Sequence, residues 1–134
     1  MTLQSLTFSY SYKSGLEERV GKQLEELGVE FSYESVKLDY RVPSRPAKYT
    51  PDFLIGHLVI ECKGWFKTKE RQKMLQVRKD NPDLDIRLVF ERAKNRIYKG
   101  SPTTYGAWAT KNGFKWADRG IIPDEWIKEV LDAT

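Results

Sequence analysis

The stretch YTPDFLIGHLVIECKG, residues 49–64, constrains the fold more than any other part of the chain. Two short apolar runs flank Gly56-His57, and such a pair is typical of a two-residue β-hairpin turn. This turn would place Ile55 opposite Leu58, so that the numbers of paired residues sum to 113. We therefore predict a core hairpin over residues 53–63.

The predicted hairpin brings three charged residues together. In this register Asp52 pairs with Glu61, and cross-strand partners share a face with Cβ atoms about 4.5–5.5 Å apart. Lys63 lies on the same face as Glu61 because strand side chains alternate. Opposed carboxylates repel, and a hard divalent cation such as Mg²⁺ would remove the repulsion. The alternative is an exposed hairpin in which Lys63 bridges the acids, and a longer turn would shift the register.

A third carboxylate comes from the first predicted helix, SGLEERVGKQLEEL, over residues 14–27. Its apolar stripe is formed by Leu16, Val20, Leu24 and Leu27. Glu17 lies at the edge of this stripe, so its side chain is expected to point towards the element that packs against the helix. Glu17 also has capping-box spacing from Ser14. Its side chain could therefore cap the helix N-terminus, or it could join Asp52 and Glu61 around a metal ion.

The segment between this helix and the hairpin contains two predicted strands. Phe31 and Tyr33 alternate in one phase, and the later apolar residues up to Tyr40 alternate in the other, which indicates a bulge or turn between them. The proline-rich stretch Val42–Ala47 is incompatible with a central strand, so we predict a linker or edge segment.

After the hairpin, helices and strands alternate. We predict a basic helix over residues 67–79, a strand over 84–90, a helix within SPTTYGAWATKNG, a short FKWA strand and a last helix after Pro123. The inner face of the last helix is assigned to Trp126, Ile127, Val130 and Leu131. The pattern predicts an α/β or mixed α+β class, with a loose arm over residues 1–13 and one domain over 14–134.

Composition excludes several classes of protein. No run of about 18 apolar residues is present, and the N-terminus lacks signal-peptide features, so we expect a cytoplasmic protein without a membrane partner. The single cysteine, Cys62, excludes an internal disulfide and a cysteine-based zinc cluster. The single histidine, His57, is expected at the surface of the hairpin turn, which argues against a histidine-metal nuclease.

The formal net charge of +4 points weakly to nucleic acid, and its distribution adds to this. Basic residues concentrate in the segments 67–79 and 91–99. Candidate DNA contacts are Lys13, Lys67, Lys69, Arg71, Lys73, Arg92, Lys94, Arg96, Lys99, Ser101 and Thr103, with Thr104 beside them. The alternative for each of these residues is ordinary solvated surface.

Pro51-Asp52 and Glu61-Cys62-Lys63 resemble the motif of the PD-(D/E)xK nuclease superfamily. A wider resemblance, from about residue 14 to 129, is to phage endonuclease I, a family of Holliday-junction resolving enzymes. It is carried, in order, by SGLEERVGKQLEELGVEFSYE, YTPDFL, ECKG, NPDLDIRLVF, YKGSPTTYG and IPDEWIKE.

The resemblance implies a catalytic site formed by Glu17, Asp52, Glu61 and Lys63. Glu17, Asp52, Glu61 and the backbone carbonyl of Cys62 would bind one or two Mg²⁺ or Mn²⁺ ions. The implied fold is a restriction-endonuclease-like core, with a central mixed sheet flanked by helices.

The resemblance also implies an intertwined, segment-swapped homodimer. Residues 42–47 would form the bridge between subunits, and Glu17 of one chain would meet the hairpin acids of the other. The implied substrate is branched DNA, cut by paired nicks in the cytoplasm of an infected host, with no small-molecule substrate. Two alternatives stay open: a related nuclease acting on linear DNA, and a junction-binding protein without catalysis.

Three features depart from the family pattern. The hairpin turn is shorter, Lys13 is the single basic residue before the first helix, and the sequence ends at Thr134 without a basic tail. The last two would reduce non-specific affinity for DNA more than they would affect chemistry.

Overall fold

The computed structural model describes residues 11–42 and 45–132. In chain order its elements are α1 (Gly15–Leu27), β1 (Ser32–Tyr33), β2 (Leu38–Val42), β3 (Arg45–Tyr49), β4 (Phe53–Ile55), β5 (Leu58–Lys63), α2 (Thr68–Asp80), β6 (Asp85–Phe90), α3 (Tyr105–Lys111), β7 (Trp116–Ala117) and α4 (Asp124–Asp132).

Two sheets are formed. The main sheet has five strands in the order β1-β4-β5-β6-β7, and β2 and β3 form a separate two-stranded ribbon. The pairs β1–β4 and β4–β5 are antiparallel, whereas β5–β6 and β6–β7 are parallel. The predicted mixed α+β class, with a central mixed sheet flanked by helices, is confirmed.

The predicted hairpin register is also confirmed. Ile55 pairs with Leu58, and Phe53 pairs with Ile60, so the paired numbers sum to 113 as expected. Gly56 has a φ of 59°, a left-handed conformation that glycine adopts without a side-chain penalty. The two-residue turn therefore fixes which side chains of β4 and β5 share a face.

Each face of the main sheet has its own apolar core, and both cores adjoin the hairpin. α1 and α4 cover the face that holds Phe53, Ile60 and Cys62. α2 and α3 cover the opposite face, which holds Val59, Leu88, Phe90 and the fully buried Phe66. The central strand β5 is therefore buried along its whole length, and so are the charged residues at its end.

α1 begins as the sequence predicts. The Ser14 side chain accepts a hydrogen bond from the backbone N–H of Glu17, and Gly28 ends the helix in a left-handed conformation. Leu27, placed on the apolar stripe, is instead 46% exposed because it is the last residue of the helix, just before the chain turns away.

The inner face of α4 needs a similar correction. Trp126 and Ile127 are buried as expected, but Leu131 is 55% exposed. Five residues after Trp126, Leu131 is rotated by about 140° around the helix axis, which moves it out of the buried stripe.

The described part of the proline-rich stretch, residues 42 and 45–47, lies in the ribbon, outside the main sheet. Pro46 is part of β3 and pairs with Arg41 of β2, which agrees with the exclusion of a central strand. Residues 43 and 44, within the predicted bridge 42–47, lie outside the described residues, and the bridge stays a prediction.

Most of the predicted N-terminal arm, residues 1–10, also lies outside the described residues. Within the described part, the ring of Tyr12 packs edge-on against Tyr33, with ring centroids 4.7 Å apart. None of the helices in the described ranges is long and apolar enough to cross a bilayer.

Candidate active site

Asp52 and Glu61 are held side by side at the open end of the hairpin. The backbone N–H of Asp52 donates to Glu61 Oε1 over 3.1 Å, and Asp52 Oδ2 accepts from the backbone N–H of Cys62 over 2.8 Å. The Tyr49 hydroxyl also donates to Glu61 Oε1, over 2.5 Å. Both acids are buried, so the backbone of the hairpin fixes their positions.

Lys63 lies beside Glu61, as the alternation along β5 predicts. Its Nζ is 3.3 Å from Glu61 Oε2 and 2.9 Å from Glu70 Oε1 at the start of α2. Burial lowers the pKa of Lys63, but the carboxylates of Glu61 and Glu70 outweigh it and hold that pKa above its usual value. In this arrangement the side chain is therefore an ammonium ion at neutral pH.

Glu17 of α1 lies close to Asp52 within the same chain. Its carboxylate, together with those of Glu34 and Asp52, forms a group in which one oxygen of each lies within 4.8 Å of the others. Among the residues that the structure describes, Glu61 is not in this group. Asp52, which directly precedes β4, thus connects the predicted pair with the third carboxylate.

Tyr33 and Lys13 fix the carboxylates of Glu17 and Glu34 by hydrogen bonds and an ion pair. The Tyr33 hydroxyl donates to Glu17, and it accepts from the backbone N–H of Lys13 over 2.9 Å. The Lys13 ammonium lies 2.6 Å from Glu34 Oε1. Glu34 itself has a positive φ of 48°, and its backbone N–H donates to the Asp52 carbonyl over 3.1 Å.

The acids carry more negative charge than their neighbours balance. Burial, reinforced by the charge of Glu61, raises the pKa of Asp52 to about 8. Burial likewise raises the pKa of Glu17. Carboxylates that resist ionisation in this way are stabilised by a cation placed among them.

The donor set therefore fits a hard divalent cation. Carboxylate oxygens are the ligands that Mg²⁺ and Mn²⁺ prefer, and the acidic group in the described part of the chain includes no histidine or cysteine side chain that would favour a softer metal. The Cys62 thiol packs in the apolar core, and burial raises its pKa, so its sulfur is no ligand here. The Cys62 carbonyl as a ligand stays a prediction.

Sequence reasoning missed three residues of this site: Glu34, Tyr49 and Glu70. Glu34 directly follows β1, where the alternation of apolar residues changes phase. That change of phase is the only feature of the sequence that marked this segment. Glu70 lies seven residues after Lys63, in the first turn of α2, where an acid is also favoured by the helix dipole.

The predicted DNA contacts divide into surface and buried residues. In the described structure Lys13, Lys67, Lys69, Arg92, Lys94, Arg96 and Lys99 are exposed, whereas Lys73, Thr103 and Thr104 are partly buried. Thr104 caps α3, with its hydroxyl accepting from Ala107 N–H.

Burial removes Arg71 and Ser101 from the expected DNA surface. Arg71 is 6% exposed, and its guanidinium donates to the Phe66 carbonyl over 2.6 Å and the Ile97 carbonyl over 3.2 Å. Ser101 is 1% exposed, and its hydroxyl accepts from the Thr103 N–H over 3.0 Å. Charge along a basic helix does not reveal which of its cations turns inward to bind backbone carbonyls.

A family model described as phage endonuclease I matches residues 2–133 of the chain. The chain belongs to the phage endonuclease I family. The matched range includes every residue that the structure describes.

Two phage endonuclease I relatives show how close this similarity is. The chain is 47% identical over 120 residues to "Endonuclease I" of Escherichia phage T7, a match that covers 89% of this chain and 80% of the relative. It is 45% identical over 120 residues to "Endodeoxyribonuclease 1" of Enterobacteria phage T3, covering 89% of this chain and 78% of the relative.

Proposed function

We propose that this protein is a metal-dependent DNA endonuclease that resolves four-way junctions by hydrolysing phosphodiester bonds in opposed strands. Its membership of the phage endonuclease I family supports nuclease chemistry, and relatives named endonuclease and endodeoxyribonuclease support DNA as the substrate. Because those relatives come from phages, we place the reaction in the cytoplasm of an infected host.

The proposal rests mainly on one observation: two carboxyl groups and one ammonium group lie together at the end of a buried hairpin. Asp52 N–H binds Glu61, and Lys63 Nζ lies 3.3 Å from the same carboxylate. Burying ionisable groups costs several kcal/mol for each one that carries a charge, and a fold keeps such a cluster where its chemistry is needed. The PD…ExK spacing, which resembles that of a nuclease superfamily, supports phosphodiester hydrolysis as that chemistry.

Glu17, Asp52, Glu61 and the Cys62 carbonyl would hold one or two Mg²⁺ or Mn²⁺ ions. A divalent cation bound there would lower the pKa of a bound water molecule and neutralise the charge that develops on the scissile phosphate. Glu34 is added to this ligand set because its carboxylate lies within 4.8 Å of those of Glu17 and Asp52.

The chain's own groups orient this chemistry. Tyr49 and the Asp52 N–H fix one oxygen of Glu61, which leaves the other oxygen beside Lys63. Glu70 holds the Lys63 ammonium from the opposite side over 2.9 Å. A positioned ammonium suits electrostatic stabilisation of the phosphate in the transition state and orientation of the attacking water. We assign these roles to Lys63 in preference to that of a general base.

Paired nicks need two sites in one assembly, and we propose that a homodimer supplies them. Within one chain Glu17 already meets Asp52, so an exchange of the segment that carries α1 would reproduce the same contacts between subunits. Residues 42–47 are the proposed bridge. The exposed lysines and arginines of the segments 67–79 and 91–99 would bind phosphates flanking the branch point.

The test is cleavage of a fixed four-way junction beside a linear duplex of the same sequence, with and without Mg²⁺. We expect Mg²⁺-dependent nicking of the junction and little cleavage of the duplex. Equal cleavage of both DNAs would favour a linear-DNA nuclease, and junction binding without any Mg²⁺-dependent nicking would favour a non-catalytic binding protein. The Glu61→Gln variant, which keeps the shape of the side chain, controls for contaminating nucleases.

A further inference from the structure

Trp65 is the most exposed large apolar side chain in the described part of the chain, at 75% of its surface. It lies two residues after Lys63, so the two Cα atoms are at most about 7.6 Å apart. One strand of DNA advances about 3.4 Å per stacked nucleotide. This Cα separation corresponds to roughly two nucleotide steps, so the backbone of Trp65 lies close to that of Lys63.

The backbone beneath Trp65 is fixed. The next residue, Phe66, is fully buried, and its N–H donates to the Tyr105 hydroxyl over 3.1 Å. Its carbonyl accepts from the buried Arg71 guanidinium over 2.6 Å. These bonds fix Phe66 inward and direct Trp65 outward, so the exposed ring stands on a rigid base.

A cation lies against this ring. Lys67 Nζ is 3.9 Å from the centroid of Trp65 and covers one face of the ring. Proteins that bind unpaired nucleic acid combine such aromatic platforms with cations that bind the backbone, because every base presents a π face.

We propose that Trp65 is a stacking platform for an unstacked nucleobase at the branch point, next to the scissile phosphate. The inference rests on the proposed function and adds to it a residue that selects branched over linear DNA. In an uninterrupted duplex each base already stacks on its neighbours, and the platform has nothing to bind. At a branch point, bases lose a stacking neighbour and an exposed ring can replace it.

The experiment measures tryptophan emission while the full-length Glu61→Gln protein is titrated with a four-way junction or with a linear duplex of the same sequence, without Mg²⁺. We expect the junction to quench emission, and we expect the Glu61→Gln/Trp65→Phe protein, which retains Trp108, Trp116 and Trp126, to lose that quench. Unchanged quenching in the double variant would overturn the proposal.

Affinities of single variants supply the second measurement. Trp65→Ala and Trp65→Leu should weaken junction binding by about 5- to 150-fold, whereas Trp65→Phe should retain most of the affinity. Binding to the linear duplex, which depends on phosphate contacts, should change by no more than about twofold. Junction binding by Trp65→Leu that equals the wild type, or an equal loss for both DNAs, would contradict base stacking.

Leu27→Ala is the matched control, because Leu27 is also an exposed apolar residue but lies about 15 Å along α1 from Glu17. A change of assembly mass in Trp65→Ala, with quenching unaffected, would assign Trp65 to a contact with a second copy and overturn the proposal. Quenching without cleavage by the wild type would instead refute the proposed function and leave the platform intact.

Discussion

The Asp52 backbone N–H donates a hydrogen bond to the Glu61 carboxylate over 3.1 Å, while the Asp52 carboxylate accepts one from the next residue of β5 over 2.8 Å. The Glu61 carboxylate is thus bound to the backbone of Asp52, and the Asp52 carboxylate is bound to the backbone of Cys62. Their positions depend on the hairpin register and not on flexible side chains. The register is therefore a requirement of the proposed chemistry as well as of the fold.

Glu61→Gln and Lys63→Ala should each reduce junction cleavage by at least about 100-fold, because each removes a charge that contacts the reacting groups. Junction binding should persist, since phosphate contacts elsewhere supply most of the affinity. Single-turnover cleavage and gel-shift assays measure the two effects separately. Glu18→Gln, an exposed acid next to Glu17, is the matched control, and normal cleavage by either site variant would refute the assignment.

Glu34→Gln should raise the Mg²⁺ concentration needed for half-maximal cleavage by about 10-fold or more, because it removes one carboxylate of the three-acid group. The maximal rate at saturating Mg²⁺ should change less. Glu30→Gln removes an exposed acid just before β1 and should leave the Mg²⁺ dependence as it is. An unchanged Mg²⁺ dependence in Glu34→Gln would remove Glu34 from the proposed ligand set.

The stability of the metal-free protein should fall as pH rises from about 4 to about 8. The pKa of Asp52 rises from 3.8 in the unfolded chain to about 8 in the folded one, owing to burial and then to Glu61. In that window the folded state binds a proton that the unfolded state has released, so the free energy of unfolding declines by up to about 1.4 kcal/mol per pH unit.

Urea denaturation in EDTA across this pH range measures the slope. Asp52→Asn cannot ionise, so its stability should exceed that of the wild type at pH 8 and should depend less on pH. A stability that rises with pH in the wild type, or an equal slope in Asp52→Asn, would show that Asp52 ionises without penalty.

Arg71 and Lys69 should behave oppositely although they lie on the same basic helix. Arg71→Ala removes buried bonds to two backbone carbonyls and should destabilise the fold by about 3 kcal/mol. Lys69→Ala should leave stability within about 0.5 kcal/mol and lower the salt dependence of DNA binding by about one unit of slope. Thermal melts and salt titrations distinguish these outcomes. An Arg71→Ala protein as stable as the wild type would make Arg71 a candidate DNA contact again.

Mixing Glu17→Ala chains with Asp52→Ala chains tests the proposed exchange. Glu17 and Asp52 from different chains would share a site, so a mixed dimer would hold one intact site and one doubly substituted site, and nicking of a single strand should return. Each variant alone should be inactive. Complete loss of nicking in every mixture would argue that Glu17 and Asp52 act within one chain, as they meet in the structure.

The sequence predicts the hairpin well because its determinants are local. Gly56-His57 sets the turn, the turn sets the register, and strand alternation then brings Asp52, Glu61 and Lys63 to one place. The first helix is predictable for the same reason, since its N-terminal cap and stop are neighbours of its apolar stripe.

What the sequence does not predict depends on contacts between distant segments. Glu34 joins the acids because the turn after β1 folds back onto Asp52, and Glu70 joins Lys63 because α2 begins beside the end of β5. Arg71 and Ser101 look like surface residues in the sequence, and only the packing of loops over them shows that they are buried.

The most direct measurement is the anomalous scattering of Mn²⁺ in crystals of the full-length protein. We predict a Mn²⁺ peak within coordination distance, about 2.0–2.3 Å, of carboxylate oxygens of Asp52 and Glu61, with Glu17 or Glu34 completing the site. This peak should vanish in Asp52→Asn crystals. A Mn²⁺ peak away from these carboxylates, or none at saturating Mn²⁺ in a protein that still cleaves junctions, would contradict this prediction.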